Sequence, residues 1–275
     1  MAALAMLAVC LTSGPAGAGV APLPSDRAAA AVSALSEPLK AKGVGQHRPG
    51  GGEATVALPR WKPYGQSYAE WAAEWWQWAL QLPASANPVL DQTGEVCMAG
   101  QHGKVWFLAG ELTGSGVTVE RTCNVPPGTA LLVPLISYAY FGFLDDPPEQ
   151  RTERFVRQHT RCDWKGAKLR LEVDGRPVRN LRHFFEMSII FAVELPEDNA
   201  FDATFGIDLP AMPLYPSADA GFYVLLEPLA RGEHTIKWQA EVSNCVSLGG
   251  PPTTLRQDVT YHLTVDDFAL LRQRR

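Results

Sequence analysis

Little in these 275 residues announces chemistry. There is no G-x-S-x-G elbow and no glycine-rich phosphate loop after a strand, so serine hydrolase and nucleotide chemistry lose their usual support. The six histidines, His47, His102, His159, His183, His234 and His262, form no H-x-H or H-E-x-x-H pair, and no metal site of close spacing follows from them. Charged residues make up only 19% of the chain and aromatic residues 9%, which fits neither a disordered nor a fibrous protein. The net charge of -5 comes from interspersed acids and bases without a Lys/Arg stripe, which argues against nucleic acid as a partner. No apolar run is long and unbroken enough to span a bilayer.

What is present is a chain with 46% hydrophobic residues, enough to bury the core of one large domain. Residues 1–18, apolar and then small up to Ala16-Gly17-Ala18, read as a signal peptide, although no basic residue precedes Arg27. Leu7-Ala8-Val9-Cys10 faintly resembles a lipoprotein box, with Val9 a poor residue before the cysteine. The protein is therefore expected to be secreted or periplasmic. Residues 19–60, rich in Ala, Gly and Pro, read as a flexible leader, 61–268 as a single domain and 269–275 as a tail. Without Cys10, four cysteines remain: Cys97, Cys123, Cys162 and Cys245. In an oxidising compartment they imply two disulfides. Of three connectivities the favoured one joins Cys97 to Cys123, which bracket a predicted hairpin, and Cys162 to Cys245. A four-cysteine zinc site would lack any C-x-x-C pair.

Residues 67–82 carry the one convincing helix. Ser67 and Glu70 fit a capping box, Pro83 ends the run, and Tyr68, Trp71, Trp75, Trp78 and Leu82 recur at helical spacing. That tryptophan stripe reads as a face buried on a sheet, with sugar stacking as the alternative; Trp76 lies off it and is the candidate exposed aromatic. Beyond the helix the period falls to two. Strands are predicted at 104–111, 116–123, 130–138, 168–173, 188–194, 221–226, 234–242 and 258–265, with a short helix around 149–159. Eight strands with so few helices indicate a mainly all-β fold: an antiparallel β-sandwich, jelly-roll or immunoglobulin-like, with one N-terminal amphipathic helix packed on it.

The most unusual polar cluster runs from Asn87 to His102. Asn87, Asp91, Thr93, Gln101 and His102, with Trp76, are the candidate ligand-binding residues, since such amides, hydroxyls and carboxylates hydrogen-bond polyols. Their oxygens can also hold Ca2+, although no cofactor is predicted. Asp91, Thr93 and Gly94 equally make a simple Asx-type turn. Asp91, His102 and Arg121 are the catalytic candidates if the protein is an enzyme. Glu186 and His183 sit among apolar residues where a carboxyl pKa can rise.

The helix motif W-x-x-E-W-W-Q-W, the string Asn87-Pro88 with Asp91-x-Thr93-Gly94 and Cys97, and Gln101-x-Gly103-x-Val105-Trp106-Phe107-Leu108-Ala109-Gly110 together resemble a group of secreted bacterial proteins to which no activity is attached. The resemblance covers most of residues 64–265. It implies a single exported domain with Cys97 and Cys123 in one structural unit, and transfers no catalytic residue. Three readings follow: a secreted sandwich binding an extracellular carbohydrate or cell-envelope component, a hydrolase or lyase acting on a polymer, and an interaction module whose tryptophan helix docks a partner. Nothing in the sequence sets the oligomeric state.

Overall fold

The computed structural model describes residues 54–246, 248 and 250–267. The expected signal peptide, Cys10, His47, most of the leader and the tail lie outside these residues. The described chain already pairs before the expected domain start, because Val56 bridges Leu226 and the Ala57 amide donates to the Leu225 carbonyl at 2.9 Å.

Helix α1 spans Tyr68–Gln81. Ser67 caps it: the Glu70 amide donates to the Ser67 hydroxyl oxygen, and the Glu70 carboxylate accepts from the Ser67 amide at 2.7 Å. The chain then leaves the helix at Leu82, where the following proline disfavours helical backbone. The helix is less one-sided than its stripe implies. Ala72, Ala73, Trp76, Ala79 and Leu80 are buried as well as the stripe residues Tyr68, Trp71, Trp75 and Trp78.

The strands are β1 (Val105–Phe107), β2 (Ser115–Val125), β3 (Ala130–Phe141), β4 (Lys168–Val173), β5 (Arg176–Pro177), β6 (Phe185–Met187), β7 (Phe191–Leu195), β8 (Met212–Leu226), β9 (Gly232–Cys245) and β10 (Thr253–Val265). Two short helices join them, α2 (Glu153–Gln158) and α3 (Ala200–Phe205). One sheet has the order β1-β3-β8-β6, with β7 also on β8; the other runs β2-β10-β9-β4-β5. Helix α1 packs against β6, β7 and β8, while β9 and β10 of the second sheet approach β3. Coverage on both faces explains why β3 is buried at nearly every position and loses the in-out alternation of a half-solvated strand.

The sandwich and its packed helix are as expected, with one difference in pairing. Each sheet contains a parallel pair, β1 with β3 and β2 with β10. Between β1 and β3 the chain enters the other sheet as β2, so the predicted hairpin of residues 104–123 does not form. Cys97 and Cys123 are nevertheless joined, as are Cys162 and Cys245. The first bond ties the loop ahead of β1 to a strand of the opposite sheet; the second ties the segment before β4 to the end of β9. Two further boundaries differ. The strand expected at 188–194 forms only from Phe191, as β7, with the unexpected β6 ahead of it and Ser188 bonding Asp219 in the gap between them, and β8 starts at Met212, nine residues ahead of the apolar run that betrays it. None of the described helices is long and apolar enough to cross a membrane.

Candidate functional site

The polar cluster at 87–102 is built into the scaffold. Asn87 is buried and donates its amide to the carbonyls of Ala79 (2.8 Å) and Leu82 (3.2 Å), closing the C-terminal end of α1, while its Oδ1 accepts from Val89. Gln101 donates to the carbonyls of Cys97 and Phe107 and accepts from the Phe107 amide. Asp91 Oδ1 accepts from the amide and hydroxyl of Thr93, and Oδ2 from the Val96 amide at 2.9 Å. Burial works against ionisation of Asp91, but those N–H and O–H donors outweigh it and hold the carboxyl below its ordinary value. The Asx turn is therefore formed, with both carboxylate oxygens engaged by the chain itself. Among the described residues no group of three or more His, Cys, Asp or Glu is arranged to hold a metal ion.

Arg121 is fully buried on β2. Its Nε donates to the Asp91 carbonyl at 2.6 Å, and its terminal nitrogens donate to the carbonyls of Ala109 (2.6 Å) and Gly110 (3.3 Å), with the guanidinium 5.6 Å from the centre of the Tyr261 ring. The structure thus brings Asp91 and Arg121 together through a backbone carbonyl. His102 is exposed and turns elsewhere: its Nδ1 lies 3.1 Å from the Gly100 carbonyl and its Nε2 3.4 Å from Glu74.

Trp76 requires correction as an exposed aromatic. It is buried at 4% exposure, edge-on to Phe141 and Trp75. The other helix tryptophans are also spent inside: Trp71 donates to the Pro63 carbonyl, Trp75 to Leu108 and Trp78 to Ala99. No tryptophan face of α1 is open to a partner.

The buried face of α1 instead meets a carboxyl with no counter-ion bond. Asp219 on β8 is 1% exposed; Tyr223 donates to its Oδ2 at 2.8 Å, and the Trp76 indole and Ser137 hydroxyl lie against it. Trp76 Nε1 and Asp219 Oδ1 both lack a well-aligned partner. Burial, only partly offset by these donors, pushes the Asp219 pKa up to about 7.

An open concavity lies elsewhere, at one edge of the sandwich. A pocket of about 670 Å³ is lined by residues 166–169 on one side and by Val178 and 180–183 on the other, within the usual size of small-molecule sites. Lys168, Arg182 and His183 face it. Arg182 fastens the two walls by donating to the carbonyls of Lys165 (2.6 Å) and Ala167 (2.8 Å). Cys162, four residues ahead of Gly166, ties the segment leading into the first wall to Cys245 at the end of β9. Periodicity offers no pointer to this pocket, because its walls are short irregular segments. The signal is local charge: residues 151–182 hold ten of the 24 Lys and Arg but four of the 29 Asp and Glu, a balance of +6 inside a chain of -5. The whole-chain count conceals it.

No protein-family model matches the chain, and no curated protein matches it. Among solved structures, the crystal structure of the cysteine protease inhibitor EhICP2 from Entamoeba histolytica aligns with 53% of this chain and 86% of its own at 15% identity, with a TM-score of 0.17. A likeness that weak carries no argument about function.

Proposed function

We propose that this is an exported binding protein whose β-sandwich holds an anionic extracellular ligand, a charged carbohydrate or cell-envelope component, in the pocket at residues 166–183. The observation that carries the reading is the coincidence of that pocket with the basic segment in an otherwise acidic chain. Two disulfides and a signal-like start support export. Lys168, Arg182 and His183 line the pocket and supply donors to sulfate, carboxylate or phosphate oxygens. Lys168 also pairs with Glu241 at 2.7 Å, but at 79% side-chain exposure that pair is weak and yields to a ligand.

The test is calorimetric titration of the full chain with a sulfated oligosaccharide and with neutral dextran. The sulfated ligand should bind and dextran should not, with affinity falling as salt is raised. Replacing Lys168→Gln together with His183→Gln should weaken binding roughly tenfold. An absence of heat with the anion, or unchanged affinity in the double variant, overturns the reading.

A further inference from the structure

The pocket continues into an apolar stripe. Phe185, Met187 and Ile189 follow its second wall at alternate positions and are 36%, 55% and 46% exposed. Alternation along an extended chain turns them to one side. Ser188 between them is buried and engaged with Asp219, and Glu186 is half-buried, with its carboxyl pKa raised by that burial. Phe185 is seated against Trp164, ring centres 5.5 Å apart, in the same segment that Arg182 grips. At the far end Arg157 donates to the Ser188 carbonyl at 3.1 Å. The stripe is therefore bracketed by cations, Arg182 on one side and Arg157 on the other, with exposed Arg161 and Lys165 beside Trp164. The nearest acid in that segment, Asp163, is turned onto the Gly166 amide at 3.1 Å.

We propose that this edge docks on a lipid surface bearing anionic headgroups. The proposal deepens the anionic-ligand reading and rests on it, naming the ligand as one presented on a membrane. Exposed large side chains in a contiguous stripe mark an interaction surface rather than random exposure. Cations flanking them choose among apolar partners: they reject a neutral or basic surface and match headgroup phosphates. Phe185, Met187 and Ile189 enter the interface, while Arg157, Arg161, Lys165 and Arg182 meet the phosphates around them. The surface is held in one shape by the Cys162–Cys245 bond and by the Arg182 clamp, so little order has to be gained on docking.

Co-sedimentation of the full chain with vesicles of phosphatidylglycerol and of phosphatidylcholine tests this. Binding to phosphatidylglycerol should be at least about tenfold tighter. The pair Met187→Ser and Ile189→Ser should reduce vesicle binding by about tenfold while leaving sulfated-oligosaccharide binding unchanged. The pair Arg161→Gln and Lys165→Gln should narrow the difference between the two lipids. Equal binding to both lipids, or no effect of the serine pair, overturns lipid docking. Failure with vesicles alongside binding of the soluble anion overturns the lipid surface and leaves the anionic-ligand reading standing; failure with both overturns both.

Discussion

At the scale of single residues, two of the buried charged side chains, Arg121 and Asp219, are accommodated in opposite ways. Arg121 has its N–H groups met by three carbonyls and an aromatic face, each a neutral partner that leaves no buried anion to desolvate. Asp219 has hydroxyl and N–H neighbours but still favours its neutral form, with a pKa raised to about 7 against an ordinary 3.8. A carboxyl whose pKa is higher in the folded state binds its proton more tightly there. Its contribution to stability is therefore fully present below the unfolded pKa, is lost as pH rises from about 4 to about 7, and then stays lost. A difference of that size corresponds to about 4 kcal/mol. Asp219→Asn, which keeps an acceptor for the Tyr223 hydroxyl, should raise stability at pH 8 by a few kcal/mol and leave it nearly unchanged at pH 4. Urea titrations of both proteins at the two pH values check this, and a wild-type stability that is flat or rising between pH 4 and pH 7 would contradict it. Nothing in the sequence marks Asp219. Its neighbours come from α1, β3 and β8, and only the fold assembles them.

At the scale of elements, legibility follows locality. Helix α1 was readable because its cap, its stop and its period all lie within seventeen residues of each other, and the residues at each end do what their chemistry requires. The alternative of a tryptophan platform fails because β6, β7, β8 and the loops at 99 and 108 surround the helix, something no local pattern records. The strands expected at 116–123, 130–138, 234–242 and 258–265, legible from apolar runs and alternation, form the greater part of β2, β3, β9 and β10. β1 lies inside the strand expected at 104–111 but is only three residues long, and the division between β6 and β7 has no local signal, since so short a strand carries less than two periods. The polar cluster at 87–102 stands out in the sequence, and its polarity serves loop closure: irregular backbone under the sheet needs Asn87, Asp91 and Gln101 to satisfy its amides and carbonyls. The capping box permits a test at this scale. Ser67→Ala removes an acceptor for the Glu70 amide and a donor to the Glu70 carboxylate, and should cost about 1 kcal/mol with an unchanged denaturant slope. A cost near zero would show that tertiary burial of the helix, not its cap, sets where it starts.

At the scale of the whole molecule the two disulfides divide the labour of holding a helix, two sheets and an irregular basic edge in one domain. Both pairings follow the expected connectivity, yet they act differently. Cys97–Cys123 spans 26 residues and fixes the 91–100 loop beneath β2, where Arg121 already clamps Asp91. Cys162–Cys245 spans 83 residues and is the covalent link between the basic segment and the second sheet. In the chain-entropy account the longer loop constrains the unfolded chain more, about 4.5 kcal/mol against about 3.5 kcal/mol. The Cys162→Ser, Cys245→Ser protein should accordingly unfold at lower urea than the Cys97→Ser, Cys123→Ser protein. It should also lose affinity for anionic ligand while folded, because Cys162 holds the segment that leads into the 166–169 wall of the pocket and carries Trp164 against Phe185. The Cys97→Ser, Cys123→Ser pair, which removes a bond between the 91–100 loop and β2 with neither residue in the pocket lining, should leave affinity alone. Equilibrium unfolding and ligand titration on the same two variants separate the effects: equal stability losses would refute the loop-length argument, and unimpaired binding without Cys162–Cys245 would show that the Arg182 clamp suffices to shape the site.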